Sequence, residues 1–181
     1  MNRLSEKYQK TAVPALKDEF KYTNPHQVPR IQKVVVSAGV GRAVSDAKHL
    51  DAAAETLAKI TGQHPVTTIA RKSIASFKLR EGNKVGTTVT LRGARAEEFV
   101  DLLVSVVLPR IRDFRGISAT AFDPFGNYSL GLPDHTIFPQ IAFEEAGAPH
   151  GLQINVVTSA KTAAEGKRLL QLMGFPFRKD A

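Results

Sequence analysis

"IQKVVVSAGVGRAVSDAKHL", Ile31 to Leu50, decides how the chain is read. Its first half is rich in β-branched residues (Val34, Val35, Val36), which marks a strand over about 31–38. Gly39-Val40-Gly41 then ends the strand. Ser45 is a good helix cap, and Asp46 suits the positive end of a helix expected over about 46–61. Strand, G-x-G and helix in this order begin a dinucleotide-binding turn. That turn needs a third glycine, and position 44 is valine. It also needs an acid about 20 residues on for the ribose, and Ile60 to Gln63 supplies none. The glycines are therefore expected to serve a turn with unusual backbone angles.

Outward from this stretch, helical and strand-like segments alternate. Residues 3–21 place Leu4, Tyr8, Ala12, Ala15 or Leu16, and Phe20 on one side of a helix, with a kink or restart expected at Pro14. Gly62 ends the helix that follows the first strand, and a short strand is expected over 66–70. "KVGTTVTLRG" alternates Val85, Thr87, Val89 and Leu91, the pattern of a half-buried strand. A helix over about 94–108 should end or bend at Pro109. Three short strand-like runs follow at 128–132, 137–143 and 152–158. Thr162 and Glu165 form a capping box for a last helix, which stops at Gly174. The expected fold is α+β: a two-layer α/β sandwich, its sheet mostly antiparallel and covered by helices on one side. The chain reads as a single domain, with a basic loop at 71–84 and an irregular acidic segment at 116–160.

Charge narrows the function. The 181 residues carry a net charge of +8 and no cysteine. That excludes disulfides and thiolate metal sites, and points to a polyanionic partner. The charge is uneven. Residues 116–160 contain no Lys or Arg but hold Asp123, Asp134, Glu144 and Glu145, so the rest of the chain is at +12. No apolar run approaches the roughly 20 residues of a membrane span. The five histidines have no metal-ligand spacing, and no nucleophile motif is present. No catalysis, cofactor, metal or small-molecule substrate is expected.

The loop 71–84 is the most informative feature. Arg71, Lys72, Lys78, Arg80 and Lys84 face a single acid, Glu81. Ser73, Ser76 and Asn83 can donate to phosphates and sugars, and Phe77 can stack on a base. Gly82 and Gly86 should make the tip flexible. Arg110, Arg112 and Arg115 form a second basic cluster. The residues alone reach a basic α/β domain that binds nucleic acid, with RNA and DNA both open.

"LAKITGQHPVTTIARKS" (57–73), "VTLRG" (89–93), "LPRIRDFRG" (108–116), "GNYSLG" (126–131) and "FPFRK" (175–179) resemble the bacterial large-subunit ribosomal protein five family, in order and nearly end to end. The resemblance implies a non-catalytic protein of the cytoplasmic ribosome. It would bind 5S rRNA in the central protuberance and reach large-subunit rRNA. It would also contact P-site tRNA through the basic loop and bridge to small-subunit ribosomal protein thirteen. Carried over by position, the rRNA set is Ser37, Gly39, Gln63, Thr90 and Arg92. The tRNA set is Arg71, Lys72, Ser73, Lys78 and Arg80. The protein-partner set is Asp134, Glu144 and Glu145. The chain departs from the family where Ser37 replaces the usual Asn, where Gln140 replaces an acid, and at Asp123-Pro124-Phe125.

Overall fold

The computed structural model describes residues 2–44, 46–141 and 149–178. Among the described residues five strands form one antiparallel sheet in the order β2-β3-β1-β5-β4. They are β1 (Ile31–Gly39), β2 (Val66–Ile69), β3 (Lys84–Arg92), β4 (Tyr128–Leu132) and β5 (Leu152–Thr158). Side chains alternate between faces along a strand, so parity shows which face is covered. Val34, Val36 and Ala38 of β1, Thr87, Val89 and Leu91 of β3, and Leu152, Ile154 and Val156 of β5 are buried. Their neighbours Lys33, Val35, Ser37, Thr88 and Thr90 are only half-buried. One face carries the core and the other is open, as the α+β sandwich reading expects.

The helices are α1 (Arg3–Lys7), α2 (Val13–Phe20), α3 (Lys48–Thr61), α4 (Ala94–Leu102) and α5 (Ala163–Met173). Pro14 does not break the first helical segment. A π-turn at Tyr8–Ala12 joins α1 to α2, and Val13 N–H reaches back to Tyr8 O. Proline lacks the donor that would continue the α-register, and a widened turn just before it absorbs the mismatch. The same device recurs before Pro109. A π-turn at Leu103–Val107 follows α4, and a 3-10 turn carries the chain on to Arg110. Helix α3 starts at Lys48, later than expected, and Asp46 Oδ1 accepts Lys48 N–H at 3.0 Å. Ser45, the cap expected from sequence, lies outside the described residues. At α5 Thr162 Oγ1 accepts Glu165 N–H at 3.3 Å, while Glu165 reaches past the cap to Lys161 N–H at 2.8 Å.

The run at 137–143 is not a strand over its described part. Asp134 caps a 3-10 turn at His135–Ile137, and Phe138 is fully buried behind it. Residues 142 and 143 lie outside the described residues.

Contacts group the chain into two units. The first comprises Met1–Val34, Leu91–Leu130 and Asn155–Ala181. Within it Arg3 pairs with Asp101 at 2.7 Å, and Arg168 pairs with Glu19 at 2.5 Å. The "RDFRG" and "FPFRK" segments meet there. Ile117 N–H donates to Pro176 O, and Arg178 N–H donates to Ile117 O, both at 2.9 Å. Gly116 sits at φ +95°, where a Cβ would stand 2.8 Å from Arg178 N. The second unit comprises Val35–Thr90 and Gly131–Ile154. Among the described residues no helix is long and apolar enough to cross a membrane.

Candidate nucleic-acid interface

The open sheet face of the second unit carries short polar side chains. Thr88 Oγ1 donates to Val36 O at 3.4 Å, which makes Ser37 and Thr88 cross-strand neighbours. Gln63 follows the left-handed cap Gly62 of α3, and its Nε2 donates to Thr90 O at 3.3 Å. The hydroxyls of Ser37 and Thr90 and the Gln63 side-chain oxygen make no hydrogen bond within the described structure. Gln63 and Thr90 thus meet on this face, Ser37 lies across from Thr88 on the same face, and all three keep donors or acceptors unspent. Arg92 lies two residues beyond Thr90 on β3, on the same face, and is exposed.

The glycines behave differently from expectation. Neither Gly39 nor Gly41 has a positive φ. Gly39 closes β1, and Gly41 starts a 3-10 turn at Gly41–Val44, so strand and helix are not joined by a phosphate-binding turn. A Cβ on Gly39 would meet nothing within 4 Å. The glycine that packing requires is Gly86, where a Cβ would stand 2.6 Å from Ala38 O. Gly86 lets β3 close on β1, and Val40 N–H donates to Val85 O at 2.9 Å beside it. Gly39 is left as clear space at the end of the open face.

The basic loop forms a hydrogen-bonded hairpin. Ile74 and Leu79 exchange backbone hydrogen bonds at 2.9 and 3.1 Å around a 3-10 tip at Ala75–Phe77. Ala70 N–H donates to Asn83 O at 2.8 Å across its base. Gly82 (φ +88°) makes a turn there, and Gly86 is buried within β3. Ser73 has a structural task, since its Oγ accepts Glu81 N–H at 2.9 Å. Arg71, Lys72, Lys78 and Arg80 are exposed and form no ion pair among the described residues. Phe77 is 73% exposed beside Lys78, which has φ +51°. Ile74, and Val66 and Ile69 on the edge strand β2, are also exposed. Val66 and Ile69 were not legible as exposed, because β-branched residues in a strand ordinarily signal burial.

In the acidic segment Asp134 Oδ1 accepts Thr136 N–H at 2.9 Å. Burial pushes its pKa up, but the Thr136 hydrogen bonds and the nearby His135 and His150 outweigh this and hold it below the usual carboxylate value. His135 is fully buried and stacks on His150 with ring centres 4.0 Å apart. Asp134 is therefore engaged as a cap, though still partly exposed. Glu144 and Glu145 lie outside the described residues. In the first unit Arg110, Arg112 and Arg115 are all exposed.

A model of the C-terminal part of the ribosomal protein L5 family matches residues 84–177, and a model described as ribosomal protein L5 matches residues 24–80. The large ribosomal subunit protein uL5 of Leuconostoc citreum is 53% identical over 98% of this chain and 99% of its own length. Its counterpart from Citrifermentans bemidjiense is 56% identical over the same shares. The one from a Geobacter species is also 56% identical.

Proposed function

The chain belongs to the ribosomal protein L5 family, and from that premise we propose how it works as a structural, non-catalytic protein of the large ribosomal subunit. It binds 5S rRNA through the open sheet face, where Ser37, Gln63 and Thr90 hydrogen-bond sugars, phosphates or base edges. Gly39 lets an RNA backbone approach the end of β1, and Arg92 adds charge. The observation that carries this reading is the cluster of unspent polar groups around Gln63 and Thr90 on a face that the core does not use. The hairpin 71–84 meets P-site tRNA. Arg71, Lys72, Lys78 and Arg80 supply salt-dependent attraction to phosphate, Phe77 offers a stacking surface, and Ser73 holds the hairpin's shape. The arginines at 110, 112 and 115 suit large-subunit rRNA. Asp134, Glu144 and Glu145 form the acidic side of a bridge to small-subunit ribosomal protein thirteen, because a Lys/Arg-free segment is repelled by RNA and attracted to a basic protein.

Binding of the full chain to 5S rRNA tests the proposal, against an unrelated RNA of equal length at matched salt. The 5S rRNA should bind far more tightly; equal affinity would sink the claim.

A further inference from the structure

The first unit holds a cavity of about 470 Å³ that no part of the proposed interface uses. Residues distant in sequence build it: Tyr8 and Gln9 from the first π-turn, Arg30 and Gln32 around the start of β1, and Glu97 from α4. Tyr8 OH donates to Pro29 O at 3.2 Å, which fixes the ring as a wall. Arg30 and Glu97 line the same cavity without forming an ion pair. Gln9, Arg30 and Gln32 are exposed at its rim and Glu97 is half-buried, and the side chains of all four make no hydrogen bond within the described structure. Burial, and then repulsion from Glu98, pushes the Glu97 carboxyl above its usual value, as expected of an acceptor without a donor.

These groups select a ligand class by exclusion. A free phosphate would meet the Glu97 carboxylate, and a cation would meet Arg30. An apolar group would leave the half-buried Glu97 carboxylate desolvated without a donor and would make no use of Arg30. A neutral, planar molecule with a donor edge, an acceptor edge and a flat face satisfies all of them. Nucleobases have this form, and single-stranded RNA is read by stacking and by hydrogen bonds to splayed base edges. Guanine fits a carboxylate best, because its N1–H and N2–H₂ donors lie side by side. Its O6 and N7 acceptors match a guanidinium. Adenine and cytosine offer a carboxylate only one exocyclic amino group, and uracil only N3–H. We infer that this cavity receives an unpaired guanine of ribosomal RNA, with Glu97 on its N1/N2 edge, Arg30 on O6/N7 and Tyr8 against its face. The inference rests on the chain's place in the large subunit and is independent of the sheet-face reading.

Kethoxal, which reacts with the N1/N2 edge of unpaired guanines, tests this in large subunits reconstituted with the full chain. Subunits carrying the wild-type chain should protect one guanine that subunits with Glu97→Ala expose about tenfold more, at equal protein occupancy. Arg30→Ala should expose the same guanine. Should Glu97→Ala impair incorporation, Glu97→Gln supplies the comparison, because it keeps the size but removes the paired acceptors. The inference is overturned if no guanine changes, or if only adenines or cytosines change towards dimethyl sulfate. Because 5S rRNA affinity is measured separately on Gln63 and Thr90 variants, failure here leaves the sheet-face reading intact.

Discussion

Substituting alanine at Gly39 and at Gly86 separates binding from folding within one pair of strands. At Gly86 a Cβ would stand 2.6 Å from Ala38 O, a backbone atom of the neighbouring strand that cannot swing aside. Overpacking of this kind costs about 1–3 kcal/mol. Alanine regains about 0.5–1 kcal/mol by losing less backbone entropy than glycine on folding. Taking the middle of each range, the net loss is about 1.3 kcal/mol, a fall in Tm of about 3–5 °C for a chain of this length. At Gly39 the φ is ordinary and nothing stands within 4 Å. Gly39→Ala should leave Tm unchanged or slightly raised. It should weaken 5S rRNA binding by about tenfold, because the methyl occupies the space left for the RNA backbone. Thermal unfolding and filter binding at fixed salt read the two effects. Unchanged 5S affinity in Gly39→Ala would refute the close approach, and an unchanged Tm in Gly86→Ala would refute the packing argument.

Gln63→Ala and Thr90→Ala should each weaken 5S rRNA binding, whereas Lys78→Ala with Arg80→Ala should spare it and weaken tRNA binding. If the hairpin variant loses 5S affinity as badly, the division of sites is wrong. Gly166→Ala lies inside α5, where alanine normally gains about 1 kcal/mol. Here the Cβ would stand 2.7 Å from Gly126 Cα and 2.9 Å from Gly126 C, so a lower Tm is expected and a higher one would contradict the geometry. Burial pushes the Asp123 pKa up, but hydrogen bonds from Asn127 and Phe125 outweigh it and hold it below 3.8. Its contribution is thus present above that value and lost as pH falls through the lower folded value. Asp123→Asn should lower Tm at neutral pH and flatten the acid limb of a Tm–pH profile; parallel profiles would contradict this.

The parts of the fold legible in sequence are those that periodicity controls. The alternation in "KVGTTVTLRG" announces the buried face of β3 at Thr87, Val89 and Leu91, and the helical spacing of Leu4, Ala12 and Leu16 the buried side of the first helical segment. What was not legible depends on partners far along the chain. Nothing local distinguishes Gly39 from Gly86, because the difference lies in which strand is opposite. The hairpin 71–84 has no periodicity, and its order comes from the Ile74–Leu79 pairing and the Ser73 cap. Within 137–143 the apolar residues imitate a strand, but Asp134 captures Thr136 N–H and turns the chain.

The candidate site divides along the same line. Charge is a property of composition, so the arginines and lysines of the loop could be found without coordinates. Gln63 and Thr90 are 27 residues apart and meet only because α3 returns the chain alongside β3. Their pairing also shows why short polar residues suit this face. One hydrogen bond, from the Gln63 amide to the Thr90 carbonyl, fixes the glutamine in place. The Thr90 hydroxyl and the Gln63 side-chain oxygen make no hydrogen bond within the described structure. A lysine there would add non-specific attraction without that fixed geometry, and phosphate contacts alone carry no sequence information. On the proposed reading, specificity for one RNA would therefore rest with the uncharged cluster, while the basic hairpin and the arginines at 110, 112 and 115 would set how strongly and how quickly RNA is drawn in.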